Sequence, residues 1–163
     1  MTTQTAPRRH NPLLSAISQI ERRLAVIPAS LPLLALRIAL AVPFYKSGLT
    51  KWDGFLTLSD GAKFLFVDEF RLHIFGSQYL YPFPLAAASL AGVAEIALPI
   101  LLVLGLLTRL AAVGLLAMTA VIQLTVPDGW ANFHLPWAAM AFALVVFGPG
   151  KIALDPYIVA KRS

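Results

Sequence analysis

The sequence predicts an all-α membrane protein, a four-transmembrane-helix antiparallel bundle preceded by an N-terminal amphipathic interfacial helix. Three observations predict it. Four apolar stretches, Pro28 to Thr50, Phe83 to Leu107, Leu110 to Val126 and Phe133 to Phe147, each approach the roughly 20 residues that a bilayer requires. Hydrophobic residues make up 58% of the 163-residue chain and mean hydropathy is +0.75, well outside a soluble domain's balance. Basic residues gather at the two ends: Arg8, Arg9, Arg22 and Arg23 before the first stretch, Lys151, Lys161 and Arg162 after the last.

Residues 1–11 are polar and read as a disordered tail. From Pro12, the apolar residues Leu13, Ile17, Ile20, Leu24 and Ile27 recur on one helical stripe, and Ser15, Gln19, Glu21, Arg22 and Arg23 fill the rest. Residues 12–27 are therefore expected to lie as an interfacial helix on anionic headgroups, interrupted by Pro28 and Pro32 before the first span. Residues 28–156 form the membrane domain. From the polar start, the late first apolar run and the lack of a small-residue cleavage site, span one is expected to act as an uncleaved signal anchor.

After Gly48–Lys51 comes the sizeable soluble-facing segment, residues 52–82. Ser59 is placed to cap a short helix through Phe64–Phe70, and Tyr79, Tyr81, Pro82, Phe83 and Pro84 mark re-entry at headgroup level. The segment reads as a lid on the outer leaflet. Span two carries Ala87, Ala88, Ala91 and Gly92, small residues that permit close helix approach. Gly105 and Thr108 make a tight turn, with Thr108 as the expected N-cap of span three, so spans two and three are antiparallel neighbours. Pro127-Asp128-Gly129 turns the chain, Trp130, His134 and Trp137 anchor span four at the interface, and Gly148-Pro149-Gly150 ends it. Residues 157–163 are a basic tail. The Lys and Arg distribution places both termini in the cytoplasm of a multi-pass inner-membrane protein.

Composition excludes several functions. The chain has no cysteine, which rules out thiolate metal sites, iron–sulfur clusters and disulfides within it. The net charge of +5 is spent on topology rather than on a face for nucleic acid. His10, His73 and His134 fall in a tail, an outer loop and an outer edge, and Met1, Met118 and Met140 form no cluster, so neither a bis-histidine haem nor a thioether copper path is supported. No metal site, nucleophile–base constellation, phosphate loop or paired catalytic carboxylates can be read. No catalytic residue is assigned, and whether the chain is an enzyme stays open.

The chemistry rests on charges inside the spans. Arg37 in span one and Glu95 in span two would each cost about 2.5–3.5 kcal/mol facing lipid. Arg37, Phe44, Gly48 and Lys51 share one helical stripe, with Lys46 half a turn from Arg37. Counting inward from the helix ends separates Arg37 and Glu95 by roughly 6 Å in depth, within reach of two long side chains. They are either a buried salt bridge fixing helix register or, with Lys51 and Gly48, the ligand-binding or proton-relay groups of a polar cavity. Lys51 is expected at the outer mouth, snorkelling to headgroups and dispensable for folding. Thr119 and Gln123, one turn apart in span three, are secondary polar candidates, read as interhelical hydrogen-bonding groups.

These blocks resemble a family. Leu36-Arg37 through Phe44-Tyr45-Lys46-Ser47-Gly48-Leu49-Thr50-Lys51 is similar to the arginine-then-Gly-x-x-Lys first helix of DoxX proteins. Glu95 with Leu104-Gly105-Leu106-Leu107-Thr108-Arg109 looks like the family's second helix and turn, and Gly148-Pro149-Gly150 through Leu154-Asp155 like its closing motif. The resemblance implies a small four-helix bacterial inner-membrane protein. It links the chain to thiosulfate:quinone oxidoreductase subunits, to membrane complexes handling thiol stress, and to proteins encoded beside enzymes that modify metal-binding peptides. The Ser-Gly-Leu-Thr-Lys form looks most like the last group.

The leading functional expectation is a quinone- or lipid-interacting accessory subunit of a membrane redox, stress or metal-peptide-associated system. Its partners would be the lipid bilayer and a protein partner in a membrane complex or a second copy of itself, and no nucleic acid. The chain itself holds no cofactor, and quinone is the candidate ligand. Two other readings stand beside it: a small transporter or exporter component, and a purely structural scaffold.

Overall fold

The computed structural model describes residues 12–160; the expected disordered tail, residues 1–11, and the end of the basic tail, 161–163, lie outside them. The first described element is α1, Pro12–Leu24, with Leu13, Leu14, Ile17, Ile20 and Leu24 exposed and Arg22 and Arg23 in its last turn. Four helices are long and apolar enough to cross a membrane: α2 (Ser30–Leu49), α4 (Pro84–Leu104), α5 (Thr108–Thr125), and Pro127–Phe147, which contains α6 (Leu135–Phe147). The chain is a multi-pass membrane protein.

Each helix ends for a local reason. α4 stops at Gly105, whose φ of +69° suits glycine. There the Gly105 N–H donates to the Leu102 carbonyl at 3.1 Å and the Leu106 N–H to the Leu101 carbonyl at 2.9 Å, closing the last turn. Above Thr125, Gly129 and Pro127 form a single 3₁₀ turn. A π-helical turn, Trp130–His134, then feeds directly into α6.

α2 packs on α4, α4 on α5, α5 on α6, and α6 returns to α2. The shared core consists of Leu40 and Phe44, Leu102, Ala111, Ala112 and Leu115, and Ala141 and Leu144. Alanine at three of these eight positions lets the helix backbones approach closely. We call the end holding Ser30, Leu104, Thr108 and Phe147 the lower end, and the opposite one the upper.

The helices are not level. A Cβ on Gly48 would lie 2.8 Å from Ile96 Cγ1 and 3.0 Å from Glu95 Cβ, so the last turn of α2 rests on the middle of α4. From Glu95 to Pro84, α4 continues for about 16 Å, at 1.5 Å per residue, beyond the end of α2. Residues 50–83 pack beside that unaccompanied upper half. Trp52 lays its indole against Gly92, where a Cβ would come within 2.8 Å of the ring. Gly92 therefore receives a side chain, where the sequence reading expected a neighbouring helix. The segment packs along the flank of α4, and its Phe66, Phe70 and Tyr81 line the cavity described below.

The segment also departs from all-α structure. It contains two antiparallel hairpins, β1 (Trp52–Gly54) with β2 (Thr57–Leu58), and β3 (Arg71–Ile74) with β4 (Ser77–Leu80). Between them Ser59 caps α3 (Asp60–Phe64), its Oγ accepting from the Ala62 N–H at 3.1 Å. A π-helical turn, Leu65–Glu69, follows. Ser59 caps as expected, and the Phe-rich run continues from α3 into the π-helical turn. The last described element is a short helix, α7 (Asp155–Ala160).

Candidate functional site: a buried ion pair beneath an aromatic roof

The offset of α2 decides which charges meet. Lys51, just past the end of α2, arrives at Glu95, and its Nζ donates to Glu95 Oε2 at 2.5 Å and to Ser47 Oγ at 3.1 Å. The two side chains are only 12% and 6% exposed. Arg37 does not reach Glu95. It lies opposite Leu102, seven residues and about 10 Å further down α4. The expected Arg37–Glu95 pair is thus replaced by Lys51–Glu95. Counting depth from the helix ends failed because it assumed that α2 and α4 start level. Lys51 is correspondingly a buried partner, not a group snorkelling to headgroups.

Arg37 belongs to a different construction at the lower end. Fully buried, it donates from one guanidinium nitrogen to the Leu102 carbonyl at 3.5 Å and from the other to the Ile152 carbonyl. Leu102 sits in the last turn of α4, where the helix dipole is negative and a cation is favoured. A Cβ on Gly105 would strike both the guanidinium and Ala153, so glycine is needed there for space as well as for φ. The segment after α6 closes over this arrangement. Its Lys151 N–H donates to Ser30 Oγ at 2.9 Å, and the Asp155 carboxylate accepts from the Leu107 and Thr108 N–H groups at 2.7 and 2.9 Å. Asp155, not the Thr108 side chain, caps α5. Arg109 donates to the Val145 and Val146 carbonyls at the end of α6.

The ion pair faces a cavity of about 590 Å³. Its floor and walls come from Phe44 of α2, Ala91, Ala94 and Leu98 of α4, Gly114 and Met118 of α5, and Trp137 of α6. Phe66, Phe70 and Tyr81 of the upper segment also line it. Phe66 centres these rings, 5.2 Å from Phe70 and 5.5 Å from Tyr81. Tyr81 is pinned to α5, its hydroxyl 2.6 Å from Thr125 Oγ1. Because Thr125 gives its own proton to the Val121 carbonyl at 2.8 Å, Tyr81 is the donor. The hairpin β3–β4 is tied to the same helix by His73 Nδ1, 3.1 Å from the Leu124 carbonyl. Apolar walls with a few convergent polar groups are the usual makeup of a small-molecule site.

Of the sequence candidates, the fold brings together Lys51 and Glu95. Gly48 is adjacent, but its notch is filled by Ile96 and it serves helix packing. Arg37 is elsewhere. Thr119 is buried and donates to the Leu115 carbonyl of its own helix at 2.7 Å, not across an interface. Gln123 does bond outside its helix. Its amide nitrogen donates to the Pro127 carbonyl at 3.1 Å, which leaves Oε1, 2.6 Å from His134 Nδ1, to accept the imidazole proton. His134 is therefore buried and bonded, where an exposed interface anchor was expected. Sequence reasoning missed Ser47, Tyr81 with Thr125, and the rings of Phe66, Phe70 and Trp137. Ser47 is one helical turn before Lys51, a spacing that could have shown it.

The family model described as DoxX matches residues 32–128, which include Arg37, Gly48, Lys51, Glu95 and the turn at Gly105. The match ends before the Asp155 segment. An uncharacterized protein of Haemophilus influenzae is 28% identical over 147 residues, covering 81% of this chain and 86% of its own. No solved structure matches the chain. With the family model spanning more than half of its length, the chain belongs to the DoxX family.

Proposed function

We propose that this protein is an accessory subunit of the bacterial inner membrane that holds a quinone-like molecule in the cavity beside Lys51 and Glu95. The observation that carries the reading is the buried ion pair opening onto an otherwise apolar space. A lysine ammonium has three donors, and two are used on Glu95 and Ser47. The third can be given to a carbonyl oxygen of the ligand, while Glu95 fixes the ammonium in place. Phe66, Phe70 and Trp137 offer faces for a flat ring, and the alanine-lined wall of α4 leaves room for a tail. A quinone supplies electron and proton carriage between membrane proteins. This chain's residues bind and orient it, and a protein partner in the complex would carry out the reaction.

In this reading the four spans form an antiparallel bundle with the lower end in the cytoplasm. Arg22 and Arg23, Arg109 and Lys151 would lie on that side, as the positive-inside rule favours. Helix α1 would lie along the anionic headgroups there, its exposed leucines and isoleucines in the acyl boundary. A C-terminal reporter fusion active only in the periplasm would reverse this orientation.

The binding test uses purified protein in nanodiscs and a decyl-tailed ubiquinone, followed by quenching of tryptophan fluorescence, since Trp137 lines the cavity. The doubly substituted Lys51→Met, Glu95→Leu protein removes both charges without leaving either alone. It should bind the probe at least roughly tenfold more weakly, the equivalent of about 1.4 kcal/mol. Unchanged affinity in that folded variant would refute the assignment of the pair to the ligand.

A further inference from the structure

The cavity is closed at one place and open at another, and this indicates where its ligand comes from. Its upper boundary holds Phe66, only 7% exposed, in ring contact with Phe70 and Tyr81. Tyr81 is hydrogen-bonded to Thr125 and the β3–β4 hairpin is held by His73. Apart from Val126 at the top of α5, 43% exposed, the exposed lining lies elsewhere. Leu90 of α4 is 72% exposed and Val121 of α5 is 46% exposed. Ala117, one turn from Val121, is exposed as well, and all three line the cavity. They carry no charge and stand on helices long and apolar enough to cross the membrane. An opening framed by such residues on two spans meets lipid chains, not water.

We infer that the cavity is loaded sideways from the bilayer, through a window between α4 and α5 framed by Leu90, Ala117 and Val121. Its ligand is then a membrane-dissolved amphiphile, a hydrogen-bonding head on an apolar tail. The head reaches Lys51 and Glu95 while the tail passes out between the two helices. The wall behind the window is built for such a passage: Ala87, Ala91 and Ala94 on α4 and Gly114 on α5 all line the cavity, so little side-chain bulk stands in the way. A water-soluble metabolite has no comparable entrance, because the aromatic roof would have to be broken first. This inference rests on the reading of the cavity as a ligand site.

Rate measurements test it separately from that reading. Protein in nanodiscs is mixed with the decyl-tailed ubiquinone in a stopped-flow instrument, and tryptophan quenching gives association and dissociation rates. Ala117→Trp, at an exposed position, should slow both by roughly tenfold with little change in Kd, the behaviour of a gate. Leu90→Ala should speed both, and because that side chain is exposed the fold should tolerate the change. His73→Ala, outside the cavity lining, loosens the hairpin and should leave both rates as in wild type. Wild-type rates in Ala117→Trp and Leu90→Ala together with acceleration in His73→Ala would overturn the window and place the entrance at the roof. Loss of affinity in Ala117→Trp at an unchanged association rate would also overturn it, since the ring would then be filling the cavity. If wild-type protein binds no probe at all, the ligand reading fails and the window with it.

Discussion

Two buried cations on one stripe of the same helical region have opposite settings. At the lower end Arg37 is enclosed by backbone: carbonyls of Leu102 and Ile152 accept its protons, and Gly105 and Ala153 press against it. Halfway up α4, Lys51 meets a carboxylate and a hydroxyl, retains a donor, and borders the cavity. On the reading proposed above, the difference separates a charge that holds a fold together from one available to a ligand. A guanidinium that satisfies backbone carbonyls on two separate segments works as a clamp, since its planar array of donors suits several fixed acceptors. An ammonium on a flexible stem with one donor free suits a contact that forms and breaks. Burial alone does not tell the two apart; the identity of the acceptors and the space beside them does.

The largest expected effect probes the upper pair. Glu95→Ala leaves the Lys51 ammonium in a largely buried site without its carboxylate, and breaking a buried pair in this way typically costs about 3–5 kcal/mol. Lys51→Met should cost a similar amount by leaving the carboxylate alone. The double Lys51→Met, Glu95→Leu protein should recover most of the loss, because neither charge is then stranded. Thermal unfolding in detergent at matched concentration reads the cycle. Additive losses would mean that the two groups do not interact, and the contrast with Arg37 would lose its upper half.

How much of this was legible in the sequence follows the range of the forces involved. The four spans and the stops at Gly105 and Gly148 were legible, because length, hydropathy and glycine's tolerance of positive φ act locally. So was Glu95 as a charge too costly to face lipid, whereas Lys51 was read as a group snorkelling to headgroups and is instead its buried partner. Which cation Glu95 meets was not legible. That depends on the offset between α2 and α4, set by Gly48 seating against Ile96, a contact between residues 48 positions apart in sequence. The hairpins were missed for another reason. Arg71–Ile74 and Ser77–Leu80 are four-residue strands joined at Phe75-Gly76. Phe75 adopts φ +50°, a conformation that a bulky residue rarely takes and that no turn preference would suggest. His134 looked like an interface residue because it stands between Trp130 and Trp137 in the sequence. Its burial depends on Gln123 in another helix.

A smaller effect tests the lower end and its independence from the cavity. Asp155 accepts from two N–H groups at the start of α5, which would otherwise be orphans of the first turn. Its charge also lies at the positive end of that helix. Asp155→Ala should therefore cost about 0.5–2 kcal/mol, the range for losing a capping side chain. Asp155→Asn keeps one of the two acceptor oxygens but not the charge, so its loss should be the smaller of the two, and the difference between them isolates a single hydrogen bond. The same carboxylate holds the segment that delivers the Ile152 carbonyl to Arg37, so Asp155→Ala should also loosen Arg37, visible as faster hydrogen exchange at residues 148–155. Quinone affinity should not change, because Lys51 and Glu95 sit about 10 Å or more up α4 from Arg37's contact at Leu102. If Asp155→Ala weakened binding as strongly as removal of the Lys51–Glu95 pair, the two ends would be energetically coupled. The cation at the lower end would then have to be counted as part of the ligand machinery rather than as its support.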